Sequence, residues 1–266
     1  MSNRGPLVGF AALLAVLGIG VAVGGVVGVG PLAATTPPDQ VTDPKEMIAR
    51  SLQSTLDAFS VHLDASVTGT IPGALVGRAD EVVILDGTTA SADLKPRDAR
   101  TRASVDSAAL GIDLDTVTVW DSVWSRTTAD GPWTKASLGS VMAGSGLDVN
   151  PLTIVDRLRD QLRGPDYRPT VTDVPCAGEA GTCRHIVLDA GTDPATLLAA
   201  LLPDENAAAL PEVRTTLTLD SDVSTLRPAH LVLEMTSDDG TLDLELVLDA
   251  SGWDAPVQID EPPTGS

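Results

Sequence analysis

Aromatic residues make up only 3% of this 266-residue chain, and cysteine occurs only twice. A core or a binding pocket must therefore be lined mostly by aliphatic side chains. Basic residues are also few, since 17 Lys and Arg stand against 37 Asp and Glu for a formal net charge of −20. This balance argues against nucleic-acid binding and against a domain that lies flat on anionic lipid. Hydrophobic residues still amount to 43%, which is enough to bury a core.

The sequence also lacks a catalytic set, and it predicts no cofactor and no metal site. The three histidines, His62, His185 and His230, lie in or beside predicted strands, and none forms a pair with metal-ligand spacing. No Gly-x-Ser-x-Gly, Walker or dinucleotide-binding glycine pattern occurs. We interpret Asp238 and Asp239 as part of a hairpin turn, because a calcium loop needs further spaced oxygen ligands. The sequence therefore predicts a protein that is not an enzyme.

Charged residues are absent from positions 5–38, where residues 7–34 form an apolar run rich in Val, Leu and Gly. About 20 apolar residues cross a bilayer core, whereas the apolar core of a signal peptide has about 7–15. The best cleavage sites would place Pro31 or Leu32 at the −3 position, where a small residue is preferred. We therefore expect an uncleaved transmembrane anchor at 7–34.

The charges that flank this run predict its orientation. Arg4 precedes the run, and acidic residues follow it from Asp39 onward. By the positive-inside rule, residues 1–6 form a cytoplasmic tip, and the bulk of the protein lies outside the cytoplasm at the cell membrane. Gly20 and Gly24 have the GxxxG spacing of closely packed spans, which permits a homodimer through this segment.

The two cysteines, Cys176 and Cys183, are separated by six residues that include two glycines. A metal site would need more ligands nearby than His185 supplies, and a redox site would normally have Cys-x-x-Cys spacing. We therefore predict a disulfide that closes a hairpin, in agreement with a location outside the cytoplasm.

After the apolar run, residues 35–42 form a Pro- and Thr-rich linker that is expected to lift the domain at 43–263 off the membrane. Asp43, Pro44 and Glu46 have the spacing of a helix start with a capping box. The buried face of this helix is predicted to comprise Ile48, Leu52, Leu56 and Phe59.

Two further helices are predicted, one that begins at Asn150-Pro151 and a shorter one near Asp193-Pro194. The apolar face of the first comprises Leu152, Val155, Leu158 and Leu162, and that of the second comprises Leu197, Leu198, Leu201 and Leu202. Most of the remaining sequence alternates with period two, which is typical of strands. These predicted strands span 61–70, 81–89, 99–105, 113–120, 122–128, 168–174, 185–190, 213–220, 229–237 and 241–250.

The last two strands show the clearest alternation. Leu231, Leu233 and Met235 are expected to pair, across a turn at 238–240, with the apolar face of the final strand. That face comprises Leu242, Leu244, Leu246 and Leu248. Consecutive strands joined by tight turns predict an antiparallel meander with one wet face. The expected fold class is α+β, a curved antiparallel sheet with two to three helices packed in its concavity.

Several short motifs follow one another in a familiar order. They are SVH at 60–62, VWDSVWSR at 119–126, GPWT at 131–134, the Pro-started helix, the Cys–Cys hairpin, RPAHL at 227–231 and APVQI at 255–259. Over about residues 44–263, this layout resembles the LolA-like superfamily, in particular the actinobacterial lipoproteins of the LppX/LprG group. The resemblance implies a half-open β-barrel whose mouth is plugged by helices, with a hydrophobic cavity that carries acyl chains of lipids or lipoproteins.

The chain departs from that group in one respect. Its lipoproteins attach to the membrane through a lipidated cysteine just after the signal, whereas this chain has no cysteine before Cys176. The apolar run at 7–34 is therefore expected to serve as the anchor. A tethered acceptor, chaperone or sensor fits this arrangement better than a freely diffusing shuttle.

The first functional hypothesis is thus a carrier or acceptor for a lipid, glycolipid or acylated protein, since burial of each CH₂ contributes about 0.8 kcal/mol. The candidate cavity residues are Leu152, Val155, Leu158, Leu162, Trp120, Trp124, Leu231, Leu233, Leu244 and Leu246. Trp120 and Trp124 are assigned to one face because they share strand parity, and a core position is the alternative. Two other hypotheses remain, a structural or interaction module with a filled concavity and a sensor ectodomain that acts through a partner. Periodicity does not distinguish a filled core from an open cavity.

Overall fold

The computed structural model of the protein describes residues 36–73, 78, 81–145, 168–176, 181–189 and 213–263. These residues contain two α-helices and twelve strands. The helices are α1 (Pro44–Asp57) and α2 (Leu138–Ser145). The strands are β1 (Val61–Pro72), β2 (Val82–Ile84), β3 (Thr88–Lys95), β4 (Arg100–Ser107), β5 (Ile112–Val119), β6 (Ser122–Arg126), β7 (Thr134–Ser137), β8 (Thr170–Pro175), β9 (Thr182–Asp189), β10 (Val213–Asp222), β11 (Pro228–Ser237) and β12 (Asp243–Ser251).

All of these strands belong to one antiparallel sheet in the order β7-β6-β5-β4-β3-β1-β12-β11-β10-β9-β8, with β2 paired to β1 alone. The first strand, β1, therefore lies at the centre of the sheet, and the strands that follow it extend outward to β7 at one edge. The strands from β8 onward start at the other edge and lead back to the centre at β12. In the described part of the chain, β7 and β8 are the two ends of this order, so the sheet is open. The predicted antiparallel meander is confirmed.

The sheet has two different faces, and we call the one that carries α1 the inner face. The predicted register of the last hairpin is confirmed on this face. Leu231, Leu233 and Met235 on β11 lie opposite Leu248, Leu246 and Leu244 on β12. Across the centre of the sheet, Val67 on β1 lies opposite Leu246. The inner face is therefore apolar over several adjacent strands.

Helix α1 begins as predicted, with Asp43 as its N-cap. The Asp43 carboxylate accepts a hydrogen bond from the backbone N–H of Lys45 at 3.0 Å. Glu46 differs from the expected capping box, because its carboxylate pairs with Arg50 at 2.8 Å. This pairing places an ion pair along the exposed side of the helix.

The C-terminal end of α1 differs from the prediction. The helix ends at Asp57, and Ala58 has extended backbone angles. Phe59 therefore lies beyond the helix, and its side chain is 60% exposed. The predicted burial of Phe59 is wrong because the helical spacing does not continue that far.

Residues 36–41 lie against the domain. The carbonyl oxygen of Thr36 accepts from Arg50 at 2.6 Å, and that of Asp39 accepts from Arg184 at 3.2 Å. Val41 is buried in the core beneath α1. This part of the expected linker therefore packs on the domain and does not act as a free spacer.

The predicted strand at 81–89 is two strands, β2 and β3. Between them, Asp86 and Gly87 form a turn in which Gly87 has a φ of 81°. Glycine adopts this left-handed conformation at little cost. Both strands run antiparallel to β1, so the chain bulges here and continues in the same direction. The short elements β7 and α2 were not predicted.

The predicted disulfide between Cys176 and Cys183 is confirmed. It joins the residue after the last residue of β8 to β9, and these two strands form a hairpin. The disulfide therefore closes the hairpin that forms one edge of the sheet.

Several predictions fall on residues outside the described part of the chain. They are the apolar run at 7–34 and the helices that begin at 150 and 193. Among the described residues, no helix combines the length and the apolar character needed to cross a membrane.

Candidate functional site on the inner face

The first part of the inner face lies beneath helix α1. Met47 and Ile48 of α1 pack in one buried cluster with Ile186 and Leu188 of β9 and with Leu219 of β10. Alternation on β9 and β10 points these side chains toward the helix. Helix α1 therefore covers the inner face over the strands of one half of the sheet.

The second part lies where β2 extends the sheet beside the end of β1, toward the opposite ends of the strands. Val83 and Leu85, in and just after β2, belong to a buried cluster with Ile71 of β1. Met235 and Leu244, which face each other on β11 and β12, belong to the same cluster. This second cluster is thus formed by residues of the sheet itself, beside the portion of the apolar face that α1 covers.

Three inward-facing leucines keep part of their surface exposed, and we call Leu217, Leu231 and Leu248 the leucine strip. They lie on the neighbouring strands β10, β11 and β12. Leu217 and Leu231 contact both the cluster beneath α1 and the cluster beside β2, and Leu231 lies directly opposite Leu248. The strip is therefore an aliphatic surface between the two clusters.

One buried polar atom lies close to the strip. Thr215 on β10 is fully buried and lies opposite Met235, with its side chain on the inner face. Its hydroxyl oxygen has no hydrogen-bond partner among the residues that the structure describes. A buried hydroxyl without a partner costs about 1–3 kcal/mol, and its O–H is free to donate to an acceptor.

The sequence-predicted cavity residues divide into three groups. Leu231, Leu233, Leu244 and Leu246 lie together on the inner face, where they belong to one apolar cluster. The four residues on the predicted second helix, Leu152, Val155, Leu158 and Leu162, lie outside the described residues. The two tryptophans form the third group.

Trp120 and Trp124 do not share a face, so that prediction is wrong. Trp120 lies in the turn between β5 and β6, with 55% of its side chain exposed. Trp124 lies opposite Val117 on the outer face and is fully buried beneath the C-terminal segment, in a cluster with Ile259. The turn takes Trp120 out of the strand pattern, and long-range packing of the C-terminal segment covers Trp124.

The three histidines lie on the outer face, each beside an aspartate of the neighbouring strand. Each imidazole Nδ1 lies within hydrogen-bond distance of one aspartate oxygen. The pairs are His62 with Asp93 at 2.8 Å, His185 with Asp220 at 2.6 Å, and His230 with Asp249 at 2.7 Å. The hydrogen bond to Asp93 raises the pKa of His62 above its ordinary value of 6.5, against the opposing effect of partial burial. These contacts are cross-strand pairs and stabilise the sheet.

Two grooves in the described part of the chain lie on the outer face, and charged side chains are among their lining residues. One, of about 400 Å³, has the carboxylates of Asp64, Asp106, Asp113 and Asp249 among its lining residues. The other, of about 530 Å³, runs beside the C-terminal segment and contains the ion pair of Arg126 with Asp115. No group of three or more His, Cys, Asp or Glu residues in the described ranges could hold a metal ion. The apolar inner face is therefore the candidate site.

This arrangement of strands occurs in a known protein. The lipoprotein LppX of Mycobacterium tuberculosis aligns with 82% of this chain and 98% of its own, at a TM-score of 0.51 and 15% sequence identity. The chain has the fold of LppX. At this identity the likeness concerns the fold alone, and it confirms the LppX-like fold that the order of motifs predicts.

Two further solved structures align at lower TM-scores. The MucA/MucB complex of Pseudomonas aeruginosa aligns with 82% of this chain and 59% of its own, at a TM-score of 0.36 and 12% identity. A LolA superfamily protein from Nitrosomonas europaea aligns with 84% of this chain and 96% of its own, at a TM-score of 0.26 and 9% identity. These two alignments carry no argument about this chain. No family model and no curated protein matches the sequence.

Proposed function

We propose that this protein is a membrane-tethered binding protein outside the cytoplasm, which holds a lipid or another acylated ligand against the inner face of its sheet. The observation that carries the proposal is the leucine strip. Its three side chains point inward from the middle of an open sheet and still keep accessible aliphatic surface.

The chemistry of this surface suits an acyl chain. Aliphatic side chains bind apolar ligands by burying surface, at about 0.8 kcal/mol for each buried CH₂, and no directional contact is needed. The residues around the strip, such as Leu233 and Leu246, are also aliphatic. An acyl chain laid along β10, β11 and β12 would contact apolar side chains on every strand.

The hydroxyl of Thr215, which is fully buried beside the strip, becomes available to such a ligand when a neighbouring side chain such as Met235 moves aside. Binding sites for apolar molecules generally contain a few polar groups that set the orientation of the ligand. An ester or carboxyl oxygen at the end of an acyl chain would accept a hydrogen bond from Thr215. The proposed ligand class is therefore an acyl chain that carries an oxygen acceptor.

The tether is the second part of the proposal. The apolar run at 7–34 is long enough to cross a bilayer, and no cysteine precedes Cys176 that could carry a lipid. A tethered protein would take up or release its ligand beside the membrane, as an acceptor, carrier or chaperone.

The ligand can be tested by photo-crosslinking in membranes with a fatty acid that bears a diazirine on its chain. We expect crosslinks on peptides from β10, β11 and β12 in the full-length protein. Leu231→Trp should fill the space beside the strip, remove these crosslinks and leave the free energy of unfolding nearly unchanged.

The matched control is Val232→Trp, which changes the next residue of the same strand on the outer face and should keep the crosslinks. Crosslinks within residues 7–34 report on the tether separately and should persist in both variants. Overpacking of a filled core typically costs about 1–3 kcal/mol. The proposed ligand site is wrong if Leu231→Trp lowers the free energy of unfolding by that much and neither the wild type nor any variant shows crosslinks on these strands.

A further inference from the structure

Five large hydrophobic side chains are exposed in the described part of the chain. Three lie at the end of the sheet where β1 begins and β12 ends: Phe59 at 60%, Trp120 at 55% and Val141 at 43% exposure. We call this the α1 end and these three residues the apolar rim. The other two, Val82 and Ile84, lie on β2, which pairs with the last residues of β1. Both exposed aromatic side chains of this set thus lie at the α1 end.

Described contacts connect the rim along this end. The guanidinium of Arg97 lies 4.1 Å from the ring centre of Phe59. In the same short turn, the carbonyl of Ala99 accepts from the N–H of Trp120 at 2.9 Å. The first N–H of α2, the helix that carries Val141, donates to the carbonyl of the residue after Trp120 at 2.7 Å. The rim residues therefore lie on consecutive, mutually bonded elements.

The turns at the two ends of the sheet differ in their chemistry. At the opposite end, the left-handed turn positions are Gly87, Gly111 and Gly240, the residue type that adopts this conformation most easily. At the α1 end, residues other than glycine adopt it as well. They are Ala99, Trp120, Leu226 and Asp254, with φ between 50° and 58°. Each such residue carries a conformational cost, because its Cβ crowds the backbone in this conformation.

Contacts within the domain account for three of these four residues. Ala99 and Leu226 are buried, and the Asp254 carboxylate accepts from the N–H of Phe59 at 2.8 Å. The Trp120 side chain is mostly exposed and makes no described hydrogen bond. The two-residue turn between β5 and β6 and the hydrogen bond from the Trp120 N–H to Ala99 hold the backbone, and the large apolar side chain points outward from it.

Charged side chains beside the rim are paired. Lys95 lies 2.6 Å from Asp98, and Arg227 forms an ion pair with Asp254. The guanidinium of Arg97 also donates to the last carbonyl of α1 at 2.7 Å. Aromatic surface, and not unpaired positive charge, is therefore the distinguishing feature of this end.

The path of the chain indicates what faces this end. Thr36 is held against α1 by Arg50, and the apolar run stops at residue 34. Two residues of extended chain span at most about 7 Å. If residues 7–34 cross the bilayer, the bilayer surface lies within about 7 Å of Thr36. The membrane is then also close to α1.

We propose that the α1 end docks on the surface of a zwitterionic lipid bilayer, with the side chains of Phe59 and Trp120 in the headgroup region. The indole of Trp120 is favoured at that depth, because its ring system is apolar and its N–H is polar. The ring of Phe59 would add apolar surface beside it. The docking rests on the proposed tether but not on the proposed ligand. It would orient the domain with α1 toward the lipid.

Fluorescence of the full-length protein in phosphatidylcholine vesicles tests this docking. All four tryptophans lie outside residues 7–34, and Trp120 is the exposed one. Lipids brominated near the headgroup should quench the wild-type emission, and Trp120→Phe should remove most of that quenching. Because the contact is apolar, the quenching should persist at high salt.

Phe59→Ser should weaken the quenching, whereas Ile84→Ser, an equally exposed apolar residue on β2, should leave it unchanged. Flotation of the vesicles reports on the tether independently. A protein that floats with the vesicles but shows no quenching that depends on Trp120 contradicts the docking and leaves the tether standing. A protein that does not float contradicts both.

Discussion

The hydroxyl oxygens of Ser51 and Ser221 lie 2.7 Å apart, in a buried contact between α1 and β10. Around it, α1 packs on the sheet mainly through apolar side chains such as Met47 and Ile48. Apolar packing tolerates small shifts, whereas a hydrogen bond between buried hydroxyls requires one geometry. The pair therefore fixes the position of the helix that covers the candidate site.

Replacement of Ser51 by Ala should destabilise the protein by about 1–3 kcal/mol, because the Ser221 hydroxyl is left buried without its partner. The double variant Ser51→Ala/Ser221→Ala should be less destabilised than the sum of the two single variants. Chemical denaturation of the four proteins completes the cycle. Strictly additive losses would show that the two hydroxyls are not coupled.

The C-terminal segment should contribute strongly to stability. Ile259 is fully buried in a cluster with Trp124, and its carbonyl accepts from Arg100 at 2.7 Å. Ile259→Ala should cost about 2–5 kcal/mol, since it leaves a cavity on the outer face. Val257→Ala, at a half-buried neighbour in the same segment, should cost less. A smaller loss at Ile259 than at Val257, measured by urea denaturation, would contradict this packing.

The disulfide between Cys176 and Cys183 closes a short loop. In the loop-entropy model it contributes about 2–3 kcal/mol. We expect a reductant to lower the midpoint of urea denaturation of the wild type. The variant Cys176→Ser/Cys183→Ser should have a midpoint close to that of the reduced wild type, and reductant should not change it. Equal midpoints for the oxidised wild type and the double variant would contradict the expected contribution.

The stabilisation by His62 should depend on pH. The hydrogen bond to Asp93 raises the pKa of His62 above 6.5 in the folded state. A group with a raised folded pKa stabilises the protein fully below its unfolded pKa, and this contribution is lost as pH rises through the folded pKa. The destabilisation by His62→Gln should therefore be larger at about pH 5.5 than at about pH 8.5.

Denaturant unfolding of both proteins at the two pH values measures this difference. In an Asp93→Asn background, most of the pH dependence of the His62→Gln effect should disappear. An equal or larger effect of His62→Gln at the higher pH would contradict the assigned contact.

Much of the sheet is predictable because its alternation is local. The pairing of Leu231 with Leu248 follows from the turn at 238–240 and from period two alone. The same register already places Asp249 opposite His230, a cross-strand pair that could have been predicted from the sequence. The pairing of two strands joined by a tight turn can be predicted without knowing which distant residues pack against them.

The errors concern contacts with distant parts of the chain. Alternation places Val123 and Trp124 on opposite faces, but it does not show that Ile259 covers Trp124. Helical spacing suggests burial for Phe59, whereas the chain leaves the helix at Asp57. Which face is covered, and by what, depends on packing that no local pattern encodes.

The central claim is that the protein holds an acylated ligand while it is fixed to the membrane. Native mass spectrometry of the full-length protein, extracted in mild detergent from the membranes of its own host, tests this claim most directly. We predict a species heavier than the polypeptide by the mass of one lipid or acylated molecule, and Leu231→Trp should abolish that species. Wild-type protein found only at the mass of its polypeptide, under conditions that preserve a known protein–lipid complex, would contradict the claim.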